Sequence, residues 1–480
     1  MTDATQDALT PLPRSAAADA PLQAADGTPL KARLAKAMRV SRMRAFGLVA
    51  PLLGFIFCFF FLPIAVLLYQ SVYNSDYSGT MPRTTDVLQA WDGTSEPSEA
   101  FYSAVVADLI QASAIERASP TVAATRMNRE KSGALSKTKR LLRQVRRLEL
   151  TWQGETMRFS SILSKIHAED DNRQLIYSEA ERAAFGAQLA EEALATYAPM
   201  KPLVVKADED WGDPEFWKAA KRASDTYTVS FILKALDLKI DDDGGLAWQP
   251  EEVQIHLKLF LRTLEISLIV TIGTLVLGYP VAYLLATLPV RTSNLLLILV
   301  LLPFWTSILV RTTAWIALLQ GQGVLNDIFV FVGIADDEAR FSMIYNKLGT
   351  LIAMIHILLP FMILPLYSVM KSIPPSYVRA AKSLGATNWT AFWRVYFPQT
   401  VPGIGAGAIL VFILAIGYYI TPALLGGSEG VMISNIIDGH MRSTLNYSLA
   451  AALGLVLLVF VLICYWIYDR IVGIDNMKLG

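Results

Sequence analysis

Cysteine is almost missing from this 480-residue chain: Cys58 and Cys464 are the two present, each inside an apolar run. That excludes a disulfide framework and a cysteine-based metal site, and buried, inert thiols are the expectation. A phosphate-binding GxxxxGK[ST] loop is missing too, since Leu425-Gly426-Gly427-Ser428 matches one only superficially, so the chain is not expected to hydrolyse nucleotide. Charge is sparse at 18%, and 42 basic residues cancel 42 acidic ones. What abounds is apolar sequence: 53% of residues, with a mean hydropathy of +0.40, too much for a soluble protein. The zero net charge is therefore uninformative, and the positions of the charges carry the argument.

Residues 1 to about 30 are rich in Ala, Asp, Thr and Pro without periodicity and read as a disordered tail. Lys31, Arg33, Lys36, Arg39, Arg42 and Arg44 follow with no acid among them. The apolar stretch at 45–73 is too long for a signal-peptide core and lacks a small-residue cleavage site. It predicts an uncleaved first transmembrane helix, with 1–44 as a basic cytoplasmic tail. Five further apolar runs, at about 259–288, 295–318, 348–370, 402–425 and 447–468, each have the length needed to cross the bilayer. The expectation is an all-α, multi-pass membrane protein with six transmembrane helices, helices 2–6 forming a core over 258–473. Counting six crossings puts both termini in the cytoplasm. Arg291, Lys371, Arg379, Lys382, Arg394 and Arg470 then all fall on inner segments, as the positive-inside rule requires.

The polar stretch at 74–257 is large enough for a domain and lies outside the cytoplasm by the same count. Between Pro120 and Pro199 it has no other proline and little glycine, while Ala, Leu, Glu, Arg and Lys abound, so long helices are expected. Arg126, Arg129, Lys131, Lys137, Lys139, Arg140, Arg143, Arg146 and Arg147 form a basic section, balanced later by Glu169, Asp170, Asp171, Glu191 and Glu192. No aromatic residues interleave with these cations. A solvated face of a helical bundle is expected, rather than a nucleic-acid or anionic-lipid surface.

The polar interruption at 371–402 carries strong helix punctuation. Pro374 and Pro375 suit a helix entry, and Gly385 can supply the left-handed residue that stops it, which predicts a short helix over 376–384. Thr387 or Asn388 can cap a second helix in which Trp389, Phe392, Trp393 and Tyr396 recur at helical spacing before Pro398 ends it.

This loop resembles the EAA loop of binding-protein-dependent ABC importer permeases, through Ala380, Ala381, Leu384, Gly385, Ala386, Pro398, Pro402 and Gly403, but Arg379 stands at the usually acidic first position. Shorter runs are similar to the spermidine/putrescine type: Gly278-Tyr279-Pro280-Val281-Ala282-Tyr283, Pro303-Phe304-Trp305-Thr306, Val310-Arg311-Thr312-Thr313-Ala314-Trp315, the 359–367 run and the 421–427 run. The resemblance covers about 227–473 and the first helix, while the insert at 74–226 exceeds the family's usual outer loop. It implies a type I importer fold in the bacterial inner membrane, with a large, mainly helical extracytoplasmic insert between helices 1 and 2. It also implies a non-enzymatic subunit binding no cofactor or metal, paired with a second, homologous or identical permease. Two ATP-binding subunits carrying ATP and Mg, a periplasmic binding protein and membrane lipids complete the implied partners, with no nucleic acid. Tyr377, Arg379, Ala380, Ala381, Leu384, Gly385, Ala386, Trp389 and Pro398 within 371–401 become the implied ATPase-coupling residues, and a polyamine such as spermidine or putrescine the implied cargo.

Polar side chains at membrane depth are the candidates for the substrate pathway, because a charge there is costly. Glu265 can attract a cation entering from outside or pair with Arg262 three residues earlier, and Arg311 can snorkel to the outer surface. His356 should lie near mid-membrane, either hydrogen-bonded to a neighbouring helix or lining the pathway. Trp305, Tyr418 and Tyr419 complete the set, with an interfacial aromatic belt as the competing role. Two other classes of function stand beside the importer: a stand-alone ion-coupled carrier, and a membrane sensor or scaffold whose outer insert binds ligand.

Overall fold

The computed structural model describes residues 30–169, 174–241 and 245–472, so the expected disordered tail up to residue 29 lies outside the described residues, as do Asp170 and Asp171. Six helices among the described residues are long and apolar enough to cross a membrane: Ser41–Gln70, His256–Thr287, Ile308–Val332, Lys347–Ser372, Asn388–Ile416 and Tyr447–Arg470. They are called the first to sixth spanning helices below. The chain divides into two compact units, residues 1–67 and 68–480. In the first unit helix begins at Leu30, well inside the stretch assigned to a tail, and continues through a wide turn at Phe57–Phe61. Cys58 is exposed there and Cys464 is half-buried, which corrects the expectation of two buried thiols.

In the second unit, the second, fourth and fifth spanning helices make the tightest layer, because glycines let their backbones approach. A methyl added at Gly273 would come within 2.6 Å of Ile355 Cδ1, one at Gly407 within 2.7 Å of Met362 Sδ, and one at Gly403 within 3.0 Å of Val369 Cβ. Ile266, Val270, Met354, Leu358, Met362, Leu366 and Val411 fill the seam.

Two crossings differ from the sequence expectation. The apolar run at 295–318 is not one helix: Val290–Leu301 passes into a tight 3-10 turn, Leu302–Trp305, and helix restarts at Ile308 with Ser307 as its cap. Pro303 inside the turn lacks an N–H, so an uninterrupted ladder is not available there. The spanning candidate is accordingly displaced to Ile308–Val332. The fifth crossing is shifted the other way. Pro398 does not end the helix that begins at Asn388, because Phe392–Tyr396 form a π turn and the helix continues as Phe397–Ile416. One extra residue in that turn leaves Pro398 in the first positions of the next segment, where its missing N–H and its ring are tolerated.

The insert has its own apolar core, from Tyr77 to Ala223. Glu99–Ile115 packs along Glu179–Tyr197, and Gly186 permits the approach, since a methyl there would lie 2.9 Å from Ala114 Cβ. Trp217 is fully buried between Phe101 and Tyr102, and its indole N–H donates to the Trp211 carbonyl at 2.7 Å. A hairpin, Glu149–Trp152 with Glu155–Arg158, interrupts the helices. Gln153 and Gly154 both take positive φ, which is the two-residue turn that matches strand twist. The insert does not extend as one body to residue 257. Phe231 and Ala235 of the Ser230–Ala235 helix belong instead to a cluster with Leu259, Phe260, Leu449 and Leu453 of the second and sixth spanning helices. Asp237 fixes the start of the second spanning helix by accepting from the amides of His256 and Leu257 and from His256 Nδ1 at 2.7 Å.

The basic section of the insert is paired in part: Lys139, Arg143 and Arg147 stay exposed, as expected, while three of its cations meet carboxylates closely. Arg126 is fully buried against Glu130 at 2.6 Å, and Lys137 and Arg140 meet Asp210 and Asp208. The acids at 208–213 therefore do the balancing, whereas Glu192 instead accepts from the Thr151 amide.

Candidate functional site

Between the fourth and fifth spanning helices the chain forms a knuckle. Pro374 and Pro375 open a nine-residue helix, Pro375–Ser383, because fixed φ and a missing N–H cost nothing at a helix start. Gly385 at φ +89° closes it: its amide donates to the Lys382 carbonyl at 3.0 Å and the Ala386 amide to the Ala381 carbonyl at 3.0 Å. This is a Schellman stop, which requires a left-handed residue at that position. Thr387, rather than Asn388, is the cap of the next helix, its hydroxyl accepting from the Thr390 amide at 3.2 Å.

The knuckle presents an uncovered apolar surface: Leu384 is 89% exposed, Trp389 71% and Tyr377 51%. Arg379 and Lys382 flank it, also exposed, with Ala380 beside Arg379 and the half-buried Ala381 and Ala386 behind. Not one carboxylate occurs between Arg340 and Ser428. The knuckle's cations thus have no acid of their own stretch to pair with.

Behind that surface the knuckle is fastened to the C-terminal end of the second spanning helix. Tyr283 meets Tyr396 edge-on at 5.3 Å and Phe392 at 6.0 Å, and the hydroxyls of Tyr279 and Thr400 lie 3.2 Å apart. Lys371 Nζ donates to the Ala286 carbonyl at 3.4 Å. Together with Arg379 and Lys382, Tyr283, Phe392 and Tyr396 line a cleft of about 530 Å³. The sequence placed Phe392 and Tyr396 in the loop's second helix and Tyr279 and Tyr283 in the 278–283 run, but did not show that the two pairs meet. The available signal was the matched four-residue spacing of 279/283 and 392/396, which puts two aromatic pairs on facing helix surfaces.

The pathway candidates fall in three places. His356 Nδ1 accepts from Trp315 Nε1 at 3.1 Å, joining the fourth spanning helix to the third. Glu265 does not pair with Arg262, whose guanidinium donates to the Ser428 carbonyl at 2.8 Å; its partner is Lys347, at the start of the fourth spanning helix. Tyr418 and Tyr419 give their carbonyls to Ser434 and Asn435, and the Tyr419 hydroxyl accepts from Arg442 at 3.1 Å. Trp305 stands apart on the 3-10 turn, 73% exposed. Among the described residues no group of three or more His, Cys, Asp or Glu is placed to hold a metal ion.

Residues 274–472 match the family described as the binding-protein-dependent transport system inner membrane component. The spermidine/putrescine transport system permease protein PotB of Escherichia coli K12 is 34% identical over 222 residues, covering 46% of this chain and 80% of that protein. PotB of Salmonella typhimurium SL1344 gives the same identity over 77% of its length, and the inner membrane ABC transporter permease protein YdcU of E. coli K12 is 31% identical over 46% of this chain and 73% of its own. A crystal structure of a bacterial alginate ABC transporter in complex with an alginate pentasaccharide-bound periplasmic protein aligns at a TM-score of 0.40 and 19% identity, over 47% of this chain and 81% of that one. The chain belongs to the binding-protein-dependent ABC importer permeases, the non-catalytic, multi-pass subunits of inner-membrane transport systems.

Proposed function

We propose that this chain passes a small cationic solute of the polyamine class from a periplasmic binding protein into the cytoplasm, and that the knuckle at 375–396 takes up motion from a separate ATPase subunit. The observation that carries the reading is the exposed Leu384–Trp389 surface combined with the aromatic bolt to Tyr279 and Tyr283. A displacement of the knuckle is passed to the second spanning helix through rigid rings rather than through a flexible loop. Residues 1–44, the knuckle and the C-terminus lie in the cytoplasm in this reading, and the insert lies in the periplasm. A second permease, a copy of this one or a homologue, completes the pathway, with ATP and Mg on the two motor subunits.

The polyamine assignment follows the PotB relatives. It constrains how the cation is held, because Glu265 is already neutralised by Lys347 and Asp327 by Arg340 at 2.7 Å. In this reading the exposed Trp305 ring and the Tyr418 ring are the cation contacts, where a desolvated cation over an aromatic ring gains about 2 kcal/mol.

The test is a cysteine at position 384 in a background lacking Cys58 and Cys464, reconstituted with the cognate ATPase and binding protein. A bifunctional thiol reagent is expected to link Leu384→Cys to the ATPase subunit, and ATP is expected to drive spermidine uptake. Labelling of that cysteine from the periplasmic side, or uptake that proceeds without ATPase subunits, overturns the reading.

A further inference from the structure

A second cleft, of about 260 Å³, lies between the insert and the segment at 230–249 that leads into the second spanning helix. Its walls come from the end of the Ser119–Glu130 helix, from Lys131 and Ser132, from Arg222, from the Ser230–Ala235 helix and from the strand Leu238–Ile240. Phe231 lines it and also packs with Leu259, Phe260 and Leu449, which stand within about a turn of the starts of the second and sixth spanning helices. The cleft is therefore level with one face of the membrane.

Five cations line it, Arg129, Lys131, Arg222, Lys234 and Lys239, against two carboxylates, Glu130 and Asp241. Glu130 is consumed by Arg126 at 2.6 Å, by Ser230 Oγ at 3.3 Å and by Arg222 at 3.9 Å. The remaining cations are poorly matched. Arg129, Lys131 and Lys239 reach carboxylates only at 3.6, 3.8 and 3.9 Å, beyond hydrogen-bonding distance. Arg129 Nη1 is buried without a hydrogen-bond partner among the described residues. Lys234 makes no ion pair among them, and burial, followed by the like charge of Arg129, pushes its ammonium below the usual range. Arg129, Lys131, Lys234 and Lys239, held together and without a carboxylate in hydrogen-bonding range among the described residues, favour an incoming group with several anionic oxygens.

We propose that this cleft is an oxyanion site that takes a phosphate group, carried by an anionic lipid headgroup or free in solution, and that the bound phosphate ties the insert to the second and sixth spanning helices. Ser132 adds a hydroxyl to the cationic donors. The 260 Å³ volume admits a phosphate and not a long peptide. The ligand bridges the insert and the Ser230–Ala235 helix, which is itself packed on the spanning helices through Phe231 and Ala235.

The full chain in phosphatidylcholine nanodiscs is titrated with inorganic phosphate, with sodium chloride at equal ionic strength as control, and compared with nanodiscs containing phosphatidylglycerol. Binding is followed by the thermal midpoint and by amide exchange of the 230–235 helix. A rise with inorganic phosphate supports the free ion as source, and a rise with phosphatidylglycerol supports a headgroup. In either case Lys234→Gln and the rim variant Lys239→Gln are each expected to weaken the effect about tenfold or more. No shift beyond that of chloride in either arm, or shifts that both variants leave intact, overturns the proposal.

Discussion

Replacement of Gly385 by valine tests the knuckle most directly. The glycine holds φ +89° with nothing within 4 Å of where a Cβ would sit, so the substitution creates no clash and acts through the backbone alone. An L-residue in the left-handed region costs about 1–2 kcal/mol, and a β-branched one belongs at the top of that range or above. Relief by leaving that conformation sacrifices the two closing hydrogen bonds, each worth about 1 kcal/mol net. The helix being closed has only nine residues, too short to persist on its own propensity. A cost of about 2 kcal/mol therefore shifts the closed knuckle roughly thirtyfold toward open forms. Amide exchange at residues 384–387 is expected to accelerate by that factor, and ATP-driven uptake by the reconstituted complex to fall steeply. Gly385→Asn, which tolerates the left-handed region, is expected to retain most activity, with Gly385→Ala between the two. Wild-type exchange and uptake in the valine variant would refute the assignment of a rigid coupling knuckle.

Other predictions address packing and charge. Asp108 in the insert accepts from the Thr84 amide and hydroxyl at 2.7 Å, yet burial pushes its carboxyl up to about 6, well above the usual carboxylate range. Because the folded state holds the proton more tightly, this group's contribution is fully present below about pH 4 and is lost as pH rises through 6, by about 3 kcal/mol. Asp108→Asn should remove that pH dependence from amide exchange across the Glu99–Ile115 helix. Breaking the buried Arg126–Glu130 pair with Arg126→Ala should cost about 3–5 kcal/mol, whereas Arg126→Met with Glu130→Leu should cost much less, as read by denaturant midpoints. Gly407→Val should destabilise the fourth and fifth helix pair more than Gly407→Ala, itself costing about 1–3 kcal/mol. Met362→Ala should partly rescue the alanine variant, because Met362 Sδ is the first atom met.

Apolar runs near 20 residues, proline at the knuckle's entry and glycine at its exit were legible in the chain, because membrane thickness and local φ requirements act on a few neighbouring residues at a time. Tertiary structure decided what those local rules leave open. Glu265 lies three residues from Arg262, but the helix start at Lys347 brings a better-placed ammonium, so the local pair never forms. Pro398 reads as a stop until a π turn supplies the extra residue that lets the helix pass. The partners of the insert's cations, and the aromatic contact between 279/283 and 392/396, join residues many tens to more than a hundred positions apart. Such contacts depend on how whole helices stack, and no window of sequence contains both sides of them.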